Sequence, residues 1–436
     1  MKREPRSRSM AALISSPLFL VVAFMTLHGF AAESPTAALT SREELDARIA
    51  ELIEKLGAPE YATREKAQAE LSRVILDAFD ALSEAQQNDD IEVAMRARYL
   101  VLGMQVGWTT EEDSAEVERL LQSYGGQSES ERHNLIEQLG ALPGTQSLGP
   151  LCRLARYETA ERLSRWAALL AMALAPKPAE EQAIATTIDR TLGSSKRVAS
   201  AWLRTYSQML TNDPNAFVRW KTLLDDEERL LVQAPEQTNR KIFRHLLRWY
   251  ADQLTDRQRA EEALEVMRKA IAHVGSNRNE VLDAVDWLRE REAWSTIAEL
   301  AERFSDTFQQ YPLLMYRLAE THSKLGQESM ADEAARRAQG IVPKDADKHV
   351  EVVEILQAAG LFQWAAFEYS DVIALMDQEP ADAIRASIQL SEMLHEIGSE
   401  KDAGDALNEL AKTIESNERV RKVMELESGR RLAGIR

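Results

Sequence analysis

Residues 312–343 read PLLMYRLAETHSKLGQESMADEAARRAQGIVP, and this stretch decides the fold class of the chain. It carries small residues at helix-packing intervals, a glycine in the middle and a proline at the end: Ala319, Ala331, Ala338, Gly326 and Pro343. Small side chains let two helices approach closely, glycine permits the turn between them, and proline ends the second helix. The stretch therefore predicts a pair of closely packed antiparallel helices.

The same pattern recurs on both sides of this pair. Gly360 follows Gly326 by 34 residues, and Gly398 follows after a further 38. A fixed period of this length is typical of tandem helix pairs that stack on one another. We predict five units over residues 241–416, with residues 417–436 as a polar cap or tail. The units begin at Arg244, Arg278, Pro312, Ala346 and Ile384.

The central pair resembles a tetratricopeptide repeat (TPR). The matching positions are Leu318, Ala319, His322, Gly326, Ala331, Ala338 and Pro343, with Met315 where tryptophan is usual. The pair departs from the family pattern at His322, where tyrosine is usual, and at Ala335, where an aromatic residue is usual. The resemblance implies a groove lined by the first helix of each pair, in which a peptide or helix of another protein binds.

Residues 41–235 also predict helices separated by short breaks. Ser41 and Glu44 form a capping box that would open the first helix. A second helix is predicted from Thr63 to Leu82, and a third from Asp90 with Ile91 and Leu102 facing inward. The sequence YATREKAQAEL (Tyr61–Leu71), followed by Glu92-Val93, Arg96-Ala97 and Leu100, resembles the HEAT-like repeats of exported bacterial proteins.

The composition favours helices throughout. Only 18 glycines and 13 prolines occur in 436 residues, and no long apolar–polar alternation of the kind that marks strands is found. We predict an all-α protein, a right-handed α-solenoid of stacked antiparallel helix pairs. Its HEAT-like part covers residues 41–235 and its TPR-like part residues 241–416.

The first 31 residues have the pattern of an export signal. Lys2, Arg3 and Arg6 precede the apolar run PLFLVVAFMTL (residues 17–27), and small residues then predict cleavage before Ala32. The predicted location is periplasmic or secreted. The alternative is an inner-membrane protein anchored by an uncleaved N-terminal segment.

The charge and the single cysteine exclude several classes of protein. A formal net charge of −18 repels phosphate backbones, so we expect no nucleic-acid partner. Cys152 cannot form an intramolecular disulfide, because it is the only cysteine. Its apolar neighbours Leu151 and Leu154 predict a small buried residue rather than a nucleophile.

One acidic residue occupies the ninth position of every predicted unit. The five residues are Asp252, Asp286, Glu320, Glu354 and Glu392. In the tetratricopeptide family this position faces the groove, so the resemblance implies an acidic column along a binding surface. The alternative is a solvated face of an acidic protein.

No catalytic, metal or cofactor motif is present. The seven histidines form no HExxH pattern, and phosphate-binding and nucleophile-elbow motifs are absent. We predict His322 and the eight tryptophans as core residues. The predicted function is therefore binding of another protein or peptide, a basic one if the acidic column contacts it. The alternatives are an enzyme with a site where the two halves join, or a self-associating structural protein of the cell envelope. The sequence does not indicate an oligomeric state.

Overall fold

A computed structural model of the protein describes residues 35–104, 106–174 and 177–434. Over these residues the chain forms helices and no β-strand, which confirms the all-α prediction. None of the described helices is long and apolar enough to cross a membrane. The signal segment predicted for residues 1–31 lies outside the described residues.

The chain forms two compact units, which divide after Met104. The helices of unit 1 are α1 (Pro35–Lys55), α2 (Tyr61–Arg73), α3 (Phe79–Ala85) and α4 (Ile91–Leu102). Helix α1 begins six residues before Ser41, so Ser41 lies inside the helix and the predicted capping box is wrong. The segment predicted as one helix from Thr63 to Leu82 is divided, because α2 ends at Arg73. A turn follows, and it lets α3 pack on α1 and α4 with Ala78 and Phe79 buried.

Helix α4 turns a different face to the core from the one predicted. Val93, Ala97 and Leu100 are buried, whereas Ile91 and Leu102 are 74% and 71% exposed. Successive residues of an α-helix are rotated by about 100°, so Ile91 points almost opposite to Val93. The core face is set by the valine and the alanine, and the inward orientation predicted for Ile91 and Leu102 is wrong.

Unit 2 contains the remaining helices. Its first part comprises α5 (Ala115–Leu121), a short 3₁₀ turn (Tyr124–Gly126), α6 (Glu129–Gly140), α7 (Leu148–Tyr157), α8 (Glu161–Ala173), α9 (Glu181–Leu192), α10 (Val198–Leu210) and α11 (Ala216–Gln233). Its second part comprises α12 (Arg240–Asp256), α13 (Ala260–Ala272), α14 (Arg278–Glu290), α15 (Trp294–Arg303), α16 (Ser305–Gln310), α17 (Pro312–Lys324), α18 (Glu328–Ile341), α19 (Ala346–Ala358), α20 (Phe362–Ala374), α21 (Pro380–Glu396), α22 (Glu400–Ser416) and α23 (Glu418–Gly434). In the second part the two helices of each pair pack on each other, as expected for stacked helix pairs.

The five predicted units are five helix pairs, from α12–α13 to α21–α22, and α16 is a short additional helix between the second and third pairs. Each pair turns on a residue with positive φ, and these residues are Gln258, Glu292, Gly326, Gly360 and Gly398. The residue after each one donates its N–H to the carbonyl five positions back, as Gln327 does to His322 over 2.8 Å. This is the Schellman motif, which lets a helix end and the chain reverse within three residues. Its spacing confirms the 34-residue period and the longer last unit.

The core of unit 2 is continuous from Val117 to Met393. The change of repeat type predicted near residues 235–241 lies inside this core, where the rings of Trp220 and Trp249 are 4.8 Å apart and Trp249 Nε1 donates to the carbonyl of Met172 over 3.0 Å. At the other end, Val420 of α23 is fully buried beside Ile384 and Leu410. The first part of α23 therefore packs on the last repeat as a cap.

Candidate functional site

Five helices carry the predicted acidic column: α12, α14, α17, α19 and α21. We call their shared surface the first-helix face. Asp252 and Asp286 are partly buried, Glu320 is 5% exposed, and Glu354 and Glu392 are exposed. An acidic residue therefore recurs in each repeat, but the five side chains differ in their exposure to solvent.

Arginines from neighbouring repeats pair with the first three carboxylates. Arg291 Nη2 lies 2.8 Å from Asp252 Oδ2, and Arg317 Nε lies 2.9 Å from Asp286 Oδ1. Arg289 Nε donates to both oxygens of Glu320, at 2.9 and 2.8 Å. Each pair joins adjacent repeats, so these carboxylates hold the stack together.

Arg289 also connects repeats that are not adjacent. Its Nη2 donates to the carbonyl of Ala359 over 3.0 Å, and Ala359 closes the helix two repeats further along the stack. Helix axes in contact are about 8–10 Å apart, so one side chain can reach this far only if the helix ends converge. The guanidinium also places a positive charge at the C-terminus of α19, where the helix dipole favours it.

The N-terminal end of the first-helix face contains further arginine pairs. Arg244 lies 2.7 Å from Glu280 and Arg248 lies 2.6 Å from Asp283. The guanidinium groups of Arg248 and Arg291 each lie 5.0 Å from the centroid of the Trp287 ring. The acidic groups in this region are thus neutralised by the protein itself.

Glu354 and Glu392 differ from the other three members of the column. Neither has an ion-pair partner among the residues that the structure describes. The pKa of the buried Tyr369 phenol is raised, first by burial and then by the charges of Glu392 and Glu354. The two carboxylates lie on α19 and α21, the first helices of the fourth and fifth repeats, and both are exposed.

A groove of about 180 Å³ lies between α11, α12 and α13, where the two predicted halves join. Its rim carries ion pairs, Lys221 with Glu262 at 3.1 Å and Lys269 with Glu228 at 2.8 Å. Burial raises the pKa of Tyr250 in its wall to about 12. The described residues that line the groove include no serine, threonine, cysteine or histidine.

A second polar cluster lies inside the third and fourth repeats, and it was not predicted from the sequence. Tyr316 donates its hydroxyl to Glu368, whose other oxygen contacts His349 Nδ1. Asp371 lies one helical turn beyond Glu368 and accepts from Gln339 Nε2 over 2.7 Å. His349, Glu368 and Asp371 offer donor atoms that all lie within 4.8 Å of one another. The sequence signal for this cluster is a pair of acidic residues three positions apart, Glu368 and Asp371. Such pairs are too frequent in an acidic helical protein to indicate a site.

Cys152, His322 and most of the tryptophans, all predicted as core residues, are buried. Cys152 is fully buried, and burial raises its pKa to about 12. His322 is 9% exposed and its Nδ1 lies 2.7 Å from Gln327 Oε1. Six of the eight tryptophans are buried, and Trp108 and Trp294 are partly buried against the same core.

Comparisons with known proteins identify no family. No protein-family model matches the chain, and no curated protein matches it. Among solved structures it is similar to a protein described as a circular tandem repeat protein with novel repeat topology and enhanced subunit contact surfaces. The identity is 16% over 90% of this chain and 94% of the other, with a TM-score of 0.27.

Proposed function

We propose that this helical repeat protein is an exported scaffold that binds a basic segment of another protein on the first-helix face. The observation that carries the proposal is the contrast along the acidic column. Three carboxylates are paired with arginines, whereas Glu354 and Glu392 are exposed and unpaired among the described residues. Unpaired surface charge steers and orients a partner of opposite charge.

The 34-residue turn spacing supports membership of the second part in the tetratricopeptide class, and the preceding helices of residues 41–235 suit a HEAT-like class. In both classes, stacked pairs present an extended surface to a partner. The partner segment would lie across α19 and α21, with lysine or arginine side chains against Glu354 and Glu392.

Charge reversal tests the proposal. Crosslinking to the purified chain in its own envelope fraction would identify a partner, whose binding is then measured with both proteins pure. Glu354→Lys/Glu392→Lys should weaken that binding at least about tenfold, since each lost close charge pair is worth about 1 kcal/mol or more. The matched control is Asp332→Lys/Glu415→Lys, which makes the same charge change at exposed positions of the second helices α18 and α22. Equal binding by both double variants would refute the proposal.

Export has its own test. N-terminal sequencing of the protein from an envelope fraction should give a chain beginning at Ala32. A chain that retains residues 1–31 and sediments with membranes would instead support the anchored form.

Self-association is a second candidate function, favoured by the outer face of α4. Ile91, Met95, Tyr99 and Leu102 are each more than 60% exposed, at helical spacing. Contiguous apolar surface of this kind is typical of contact sites. Sedimentation should show a stable oligomer that Met95→Lys dissociates, and a monomer at all concentrations would exclude this function.

A further inference from the structure

We propose that His349, Glu368 and Asp371 form a binding site for one divalent transition-metal ion, with Zn²⁺ the best fit. Glu368 and Asp371 lie one turn apart on α20, so their side chains share a face of the helix. His349 approaches this face from α19. The three donor atoms are within 4.8 Å of one another. Zinc bonds of about 2.1 Å place tetrahedral ligands about 3.4 Å apart, so small side-chain rotations would close the site.

The charge balance of the buried glutamates supports a cation here. Among the described side chains four glutamates are buried, and three of them pair with an arginine. Those pairs are Glu158 with Arg132, Glu227 with Arg165, and Glu320 with Arg289. Glu368 is fully buried, and its partners among the described residues are Tyr316 and His349, whose imidazole is charged only when protonated. A buried carboxylate needs a compensating positive charge, and a second carboxylate beside it increases that need.

The hydrogen bonds around the cluster leave ligand atoms available. Tyr316 holds one oxygen of Glu368, and Gln339 holds Oδ2 of Asp371. The second oxygen of Glu368 contacts His349 Nδ1. The second oxygen of Asp371 has no hydrogen-bond partner among the described residues. Outer hydrogen bonds that fix one carboxylate oxygen while the other binds a metal are a regular feature of metal sites.

The donor set selects the metal class. One imidazole nitrogen and two carboxylate oxygens are the ligands that Zn²⁺ accepts with a water in the fourth position. Neutral His349 and two carboxylates carry two negative charges, which a divalent ion cancels. Asp371 is partly exposed, so solvent can supply the fourth ligand. The ion would fix α19 to α20, while Tyr316 and Gln339 tie it to the preceding repeat.

Calorimetric titration of the chelator-treated chain with Zn²⁺ tests this site. We expect one Zn²⁺ per chain, and a visible absorption band of tetrahedral type when Co²⁺ replaces it. Asp371→Asn keeps an acceptor for Gln339 and removes one ligand charge, so it should weaken binding by more than about tenfold while circular dichroism remains unchanged. Tyr316→Phe removes an outer hydrogen bond and should weaken binding about 10–100-fold.

The control is His395→Gln, which removes an exposed histidine whose carboxylate partner among the described residues is Glu400, at 2.9 Å. It should bind Zn²⁺ as the unaltered chain does. No saturable binding by the unaltered chain would overturn the proposal, and so would equal affinity in folded Asp371→Asn. Loss of binding in His395→Gln would place the ion elsewhere and overturn it as well.

Discussion

Removing the charge of Glu320 should destabilise the protein, although Glu320 belongs to the same acidic column as Glu354. Glu320 is 5% exposed and accepts two hydrogen bonds from Arg289 Nε. Arg317 Nη1 also lies 3.5 Å from Glu320 Oε2. Glu320→Gln keeps the shape of the side chain and removes the charge that both arginines face.

The magnitude follows from the burial of the partners. Breaking a buried ion pair costs about 3–5 kcal/mol, because a charge is left without compensation. Here Arg317 keeps its contact with Asp286, and the Arg289 side chain is 25% exposed, so solvent screens part of its charge. We therefore expect Glu320→Gln to lower the free energy of unfolding by about 2 kcal/mol.

Urea denaturation followed by circular dichroism measures this change, and hydrogen exchange at the amides of α14 and α17 locates it. Glu354→Gln is the matched control, with an expected change within about 0.5 kcal/mol, as for an ordinary surface substitution. A Glu320→Gln variant as stable as Glu354→Gln would refute the assignment of Glu320 to the packing between repeats.

Four further predictions test other parts of the structure. A Cβ at Gly57 would lie 2.6 Å from Asp90 Oδ2 and 2.9 Å from Val93 Cγ2. Gly57→Ala should therefore lower the free energy of unfolding by about 1–3 kcal/mol. Gly126→Ala, where a Cβ would have nothing within 4 Å, should change it little. Gly326→Ala should lower the free energy of unfolding by about 1 kcal/mol, because φ is +75° at this residue. Gly340→Ala should raise it by about 0.5–1 kcal/mol, because a Cβ there would meet nothing within 4 Å and alanine favours the helix α18. Changes of the same sign in urea denaturation would contradict the turn geometry. Because burial raises the pKa of Cys152 to about 12, the folded chain should resist thiol reagents at pH 8 and react only on unfolding; labelling at the rate of a free thiol would contradict its burial. The pKa of His245 is lowered to about 4 by burial and then by the charges of Arg248, Arg244 and Lys241, opposed by Asp283. The folded state therefore binds fewer protons than the unfolded state, and the free energy of unfolding should fall as the pH drops from about 6.5 towards 4. His245→Gln should flatten this dependence, and an unchanged pH profile would exclude His245 as its source.

The sequence alone determined the local structure of the second part of the chain. Ala319, Ala331 and Ala338 are fully or almost fully buried where the helices of one pair meet, and Gly326 has the positive φ that its turn requires. These features depend on a few residues close together in the chain, so their spacing is sufficient to predict them. The turns at Gln258 and Glu292 have the same conformation without glycine, and there only the helical pattern on either side indicated the unit.

Unit 1 was predicted less accurately, because its helices carry apolar residues on more than one face. Ile91 and Val93 are both suited to a core, and the packing of α4 on α1 and α3 decided that Val93 is buried. Similarly, the break after Arg73 depends on the helices against which Phe79 packs. Periodicity within a single helix cannot decide between two apolar faces.

What the sequence by itself determined is the order of the helices, their pairing, and the recurrence of an acidic residue in each unit. Only the tertiary structure decided which acidic residues are available to a partner. The arginines that pair with Asp252, Asp286 and Glu320 come from neighbouring repeats, 31 to 39 residues away in the chain. The physical reason is that a side chain's charge is compensated by whatever lies within a few ångströms, and that neighbourhood exists only once the repeats are stacked. The same reason explains why His349, Glu368 and Asp371 were invisible as a set until α19 and α20 were placed side by side.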